Sequence, residues 1–221
     1  ASDVYKRQQI GCEGVVVGKA LYEKIFSISD VKVTYIDCNL EDGGARAELI
    51  FDLSDEEDKL SILINNAAFV GSSDLEGWAT EFQDQSIETW RRALEVNLTA
   101  TFDLSKGLTP KLKQSRHGSI INVASIYGIS GPDYSLYTGT QMGHPAAYAA
   151  SKGGLIQLTR WLATTLAPDI RVNAISPGGI YNHQDEDFVR RLSDLIPLGR
   201  MALSLIHISE PTRLGMISYA V

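Results

Sequence analysis

A tyrosine and a lysine four positions apart, Tyr148 and Lys152 in HPAAYAASKGG (residues 144–154), stand in a run of small side chains with helical character. Four positions are one helical turn, so the phenol and the ammonium share a face. That juxtaposition can serve acid/base chemistry. A free phenol ionises near pH 10, and work near neutrality asks for a drop of about two to three units, or about 3 to 4 kcal/mol, which a neighbouring positive charge supplies by favouring phenolate. A plain surface contact satisfies the same spacing, so the pair gains meaning only from what accompanies it.

Four further features accompany it. Gly11, Gly14 and Gly18 lie ahead of a first helix, where glycine permits a tight turn and close approach to a pyrophosphate. Asp37, at a strand end, is placed to accept hydrogen bonds from an adenosine ribose. No arginine or lysine stands immediately beside it to hold a 2′-phosphate, which favours NAD over NADP. INNAA (residues 64–68), with Asn65 and Ala67, ends another strand with small residues that leave room for a cofactor. SPGGI (residues 176–180), with Pro177, Gly178 and Ile180, ends a further strand with a turn whose backbone would meet a nicotinamide amide. Each has a plain alternative: glycines in turns, an aspartate on a loop, asparagines capping a strand.

The elements that must position these residues follow from periodicity. Short apolar runs alternate with longer amphipathic stretches, the pattern of parallel β-α-β units. Strands are expected over 31–36, 60–64, 119–124 and 171–175, with a weaker one at 47–51; helices are expected over about 17–26, 87–105, 146–166 and 185–195. In the third helix Leu155, Leu158, Leu162 and Leu166 make an inward stripe, and Pro168 ends it. The stretches from Asp37 to Ala47 and from Asp52 to Leu60 are too short for helical crossovers, which predicts bare loops or an antiparallel return of 47–51 onto 31–36.

Composition bounds the answer. The 221 residues are 44% hydrophobic and 21% charged, which suits one α/β domain. No apolar run is long enough to span a membrane and the N-terminus lacks the order of a signal peptide, so a cytoplasmic setting is the default. Cys12, Cys38 and the four histidines form no metal-ligand spacing, and no metal is expected. A net charge of −7 without a basic patch argues against nucleic acid as a partner. Residues 1–8 and 203–221 resemble in-frame translations of sequencing adaptors, which makes 9–202 the expected catalytic domain.

In order along the chain, LINNAA, VNLTATF, SIINVASIYG, YAASKGGL and RVNAISPGGI resemble the short-chain dehydrogenase/reductase family in its single-domain branch. The likeness runs from about Gly11 to Ala202. It implies a Rossmann-type, doubly wound parallel sheet, here truncated at both ends, and an NAD(P)-dependent hydride transfer between the nicotinamide and an alcohol or carbonyl substrate. On this resemblance Tyr148 is the acid/base group, and Lys152 lowers its pKa and binds the nicotinamide ribose. Ser125 holds the substrate oxygen. Asn97 kinks its helix and helps hold a water that links Lys152 to solvent. Asp52 matches in type the aspartate that contacts adenine.

The pattern is not followed everywhere. Val16 stands where the family's glycine loop has glycine, and Asn182 stands where a threonine often meets the nicotinamide amide. The family's last helix and strand are missing, which implies exposed apolar surface here and a homo-oligomer for the parent protein. A long segment separates Ser125 from Tyr148, and its Tyr134, Tyr137, Thr138 and Gln141 are candidates for substrate contact. Likeness to members associated with bacterial surface-glycan biosynthesis suggests a small-molecule substrate, a sugar or sugar-nucleotide alcohol. An inactive gene fragment and a nucleotide-binding protein without turnover are the competing readings.

Overall fold

A computed structural model of the chain describes residues 4–10, 12–17, 33–55, 59–70, 75–140, 142–203 and 217–219. Three strands form its parallel centre: β4 (Ile62–Asn65), β5 (Gly118–Val123) and β6 (Ile170–Ser176). β2 (Cys12–Val17) adds parallel to β4. β1 (Val4–Ile10) and β3 (Val33–Asp37) lie beyond it, and β7 (Ile217–Tyr219) pairs antiparallel with β6. The order across the sheet is β3-β1-β2-β4-β5-β6-β7. The fold is therefore α/β around a parallel centre, with antiparallel pairings at both margins. Two of the marginal strands come from the terminal segments that resemble adaptor sequence, consistent with the readiness of a bare sheet edge to take any extended chain.

Among the described residues the α-helices are α1 (Gly43–Asp55), α2 (Ile87–Leu94), α3 (Ala100–Lys113), α4 (Ala146–Leu166) and α5 (Glu186–Leu195). The weak strand expected at 47–51 is instead the middle of α1. Its buried residues Arg46, Leu49 and Leu53 recur at helical spacing, and the consecutive Leu49, Ile50 and Phe51 only imitate a strand, with Phe51 exposed. With that strand gone, the shortage of crossover residues disappears too, because one helix joins β3 to β4. Arg46 explains its own burial by pairing with Glu95 at 2.7 Å and Asp103 at 2.9 Å, which ties α1 to α3.

α2 and α3 are joined by a π-helical turn, Glu95–Thr99, and together run to Lys113, past the expected end at 105. Pro110 sits inside α3. Its missing N–H costs the bond to the Lys106 carbonyl, but Leu104, Leu108 and Leu112 make a fully buried stripe that holds the helix to the sheet. Ser86 caps α2 by accepting from the Glu88 and Thr89 amides, and Asp185 caps α5 by accepting from Asp187 and Phe188. α4 has the bounds expected of it, with Leu155 and Leu162 buried and Leu158 and Leu166 partly so. The main core joins Leu63 of β4, Ile120 of β5 and Val172 of β6 to the leucines of α1, α3 and α4. A smaller cluster, Leu136, Phe188, Leu192 and Met201, packs the 134–137 turn against α5.

The helix expected over 17–26 falls on residues outside those described, apart from Val17, which ends β2; Gly11, Gly18 and Gln141 also lie outside them. Among the described residues no helix is long and apolar enough to cross a membrane, and no cluster of His, Cys, Asp and Glu could hold a metal.

Candidate functional site

The chain leaves β5 at Val123 and reaches Ser125 in extended conformation, then makes a short 3₁₀ turn over Ile126–Gly128. The Ser125 hydroxyl accepts from the Tyr127 amide at 3.2 Å, which fixes the start of that turn. Gly128 then lies against the backbone of α4: a Cβ there would stand 2.7 Å from the Lys152 carbonyl carbon and 2.8 Å from its oxygen. Only glycine allows this approach. It brings the end of β5 onto the first turns of α4, where Ser125 comes near enough to the Tyr148 phenol to favour its ionised form. Both side chains line one cleft of about 530 Å³.

Burial governs the electrostatics. It pushes the Tyr148 phenol above the ordinary tyrosine range, against the opposing effect of Ser125, with Tyr127 adding to the rise. Lys152 is 2% exposed, and desolvation lowers its pKa from 10.5 to about 8. Its ammonium donates to the Val123 carbonyl at 2.6 Å and lies 5.8 Å from the centre of the Tyr148 ring. The sequence led to the expectation that Lys152 and an oxidised nicotinamide ring together would depress the tyrosine. The protein's own surroundings raise the phenol, because desolvation outweighs the favourable effect of Ser125.

Asn97 lies inside the π-helical turn, as expected of a residue that distorts its helix. Its carbonyl oxygen accepts from the Phe69 amide at 2.6 Å and its amide donates to the Ser151 hydroxyl at 2.9 Å. Ser151 in turn donates to the Tyr148 carbonyl at 2.9 Å. One buried side chain thus joins the loop after β4 to the helix that carries Tyr148 and Lys152. Ser151 and the Phe69 backbone were not legible as partners, since nothing in their spacing distinguishes them.

The other expected cofactor contacts divide. Asn65 is buried, and its amide donates to Asn122 at 2.8 Å; Asn122 donates to Thr159 at 2.9 Å, so the side chain works inside the fold. Ala67 is partly buried against the main core. Gly14 is not part of a turn: it pairs with Ile62 and Gln8 inside β2, where the following Val15, Val16 and Val17 favour extended backbone. Asp52 is exposed on α1, on a helix and not at a strand end. Asp37 does end β3 and is exposed, but β1 stands between β3 and β2, one strand further out than a ribose contact at the first crossover requires. Pro177 and Gly178 follow β6, and the Pro177 carbonyl accepts from the Ile126 amide at 3.1 Å. Ile180 is exposed and bridges to Ala202.

The ends of β4, β5 and β6 lie side by side, and the crevice beyond the carboxyl ends of parallel strands is where such sheets bind ligands. Gly178 opens onto this crevice, with nothing nearer than 4.0 Å to a Cβ placed there. Tyr148, Lys152 and this open turn suit the nicotinamide end of a dinucleotide. The cleft walls include Asn182, noted in the sequence, and three residues that sequence did not single out: Tyr127, His144 and Gln184. Tyr137 lines it and shares a 2.8 Å hydrogen bond with Tyr127, whereas Tyr134 is two-thirds exposed and is not part of its wall. Thr138 is exposed.

Residues 15–190 match the family described as short chain dehydrogenase. The chain belongs to that family. It is 30% identical over 187 residues to the 3-oxoacyl-[acyl-carrier-protein] reductase FabG of Aquifex aeolicus, covering 82% of this chain and 68% of the relative. It is 35% identical over 144 residues to the trans-4-hydroxycyclohexanecarboxylate dehydrogenase of Sinomonas cyclohexanicum, covering 65% of this chain and 48% of that protein. A short chain dehydrogenase of Leptospira borgpetersenii solved with NAD⁺ superimposes with a TM-score of 0.66 at 35% identity, over 76% of this chain and 62% of that one. The chain thus spans about half to two thirds of the length of these relatives. Other solved neighbours hold NAD or NADP.

Proposed function

We propose that this short chain dehydrogenase transfers hydride between a nicotinamide cofactor and an alcohol or carbonyl group of a small molecule, with Tyr148 as acid/base. The observation that carries the reading is the meeting of Ser125 and Tyr148 on the wall of one cleft, with Lys152 a turn further along α4. Ser125 orients the substrate oxygen toward the phenol, and Tyr148 takes the hydroxyl proton in oxidation or returns it in reduction. Lys152 holds the nicotinamide ribose, and Pro177 and Gly178 hold the nicotinamide amide through their backbone. The bound cofactor carries the hydride. Asn97 acts at a distance by fixing α4 through Ser151. The preference for NAD over NADP rests on the carboxylate type of Asp37 in the sequence and not on its place at the end of β3, which lies one strand too far out for a ribose contact.

The test follows NADH absorbance over a panel of secondary alcohols with the full chain. Tyr148→Phe should lower kcat by roughly 10²- to 10⁴-fold while cofactor binding persists. Loss of cofactor binding in the parent chain, or unchanged turnover in the variant, defeats the reading. Tighter binding of NADP than of NAD in a titration defeats the cofactor preference alone.

A further inference from the structure

The wall of the cleft carries an imidazole that the reaction above does not use. His144 is 8% exposed, its ring centre lies 4.0 Å from that of Tyr127, and it meets the Tyr148 ring edge-on at 6.0 Å. Its Nε2 is buried and has no hydrogen-bond partner among the described residues. Buried ring nitrogens are ordinarily partnered, so an orphan beside a reacting phenol marks a place where a ligand atom completes the set.

The rest of the wall says what kind of ligand. Among the described residues that line the cleft there is no Asp, Glu, Lys or Arg; its polar groups are hydroxyls and amides such as Tyr127, Tyr137, Asn182 and Gln184. A carboxylate or a diphosphate would enter without a counter-charge, at a high desolvation cost. Burial also lowers the pKa of His144, which keeps the ring neutral, able to accept or donate one hydrogen bond but offering no charge to an anion.

Resting on the proposed hydride-transfer site, we propose that His144 is a specificity-determining residue that binds a second, uncharged hydroxyl close to the reacting carbon, so that the preferred substrate is a neutral polyol and not a carboxylate or a sugar nucleotide. The second oxygen takes the partner position at the imidazole while the first lies between Ser125 and Tyr148.

The experiment uses the full chain with three probes that share one ring: cyclohexane-1,2-diol, cyclohexanol and 2-hydroxycyclohexanecarboxylate. Wild type should prefer the diol to cyclohexanol in kcat/KM by about tenfold, the effect of one hydrogen bond in a site poor in water, and should use the carboxylate worst. His144→Phe keeps an aromatic ring against Tyr127 and should lower kcat/KM for the diol about tenfold more than for cyclohexanol. His144→Gln, which can still hydrogen-bond, should recover part of the ratio. Calorimetric binding of the same probes to the NAD-loaded Tyr148→Phe protein, with and without His144→Phe, reads the ratio without turnover. A diol ratio that falls in the binding series while wild type turns over no probe upholds the role of His144 and defeats hydride transfer. Turnover with a ratio near one, a ratio unmoved by His144→Phe, a preference for the carboxylate, or binding of none of the probes overturns the role of His144.

Discussion

Lys152 gives the most direct measurement of how much strain the site carries before any cofactor enters. Desolvation takes its pKa from 10.5 to about 8, a difference that corresponds to about 3 kcal/mol spent on keeping the ammonium charged in the folded state at pH 7. Between pH 8 and 10.5 the unfolded chain binds the proton more tightly than the folded one, so this contribution makes stability rise with pH and the cost fades. Lys152→Met removes it. The hydrogen bond to the Val123 carbonyl is lost as well. Urea unfolding of both proteins without cofactor, at pH 7 and pH 9.5, isolates the titration. The stability of the variant relative to wild type should fall by about 2 kcal/mol on going to pH 9.5, because only wild type gains from deprotonation. A difference that does not change with pH would show that the amine is solvated and not desolvated, and would remove the electrostatic account of the site.

Two further outcomes follow from contacts around the same helix. Gly128→Ala forces a methyl group onto the Lys152 backbone and should cost about 1 to 3 kcal/mol, read as a lower Tm together with a raised KM as α4 shifts. Asn97→Ala strands the Phe69 amide and leaves the Ser151 hydroxyl with only the Tyr148 carbonyl, and should cost about 1 to 3 kcal/mol by denaturant unfolding; a loss under about 0.5 kcal/mol would mean that water takes over the freed amide.

The sequence was most readable where local chemistry and packing agree. α4 shows its length in the small residues at its start, the leucine stripe along it and Pro168 after it, and β4, β5 and β6 lie within two residues of their expected positions. It was least readable where a distant partner decides. Arg46 turns AELIF into a helix face only because Glu95 and Asp103 await it, and no local pattern announces an arginine in a core. Gly14 invited a turn, yet its valine neighbours draw it into a strand. The meeting of Tyr148 and Ser125 was foreseen from motif order, whereas His144 carried no signal, since a single histidine ahead of a helix has no spacing to read. Even the direction of the Tyr148 shift depended on burial that spacing alone does not reveal.

The π-helical turn at Glu95–Thr99 lets one helix hold a surplus residue without losing its phase. An α-helix advances about 100° per residue and the wider turn less, so excising one residue here would let α2 and α3 merge into a regular helix with little net rotation. Leu104, Leu108 and Leu112 would stay on the sheet. What such a deletion would erase is the bulge that aims Asn97 at the Phe69 backbone and Ser151, so the packing of the helix and the reach of that one side chain can be edited apart.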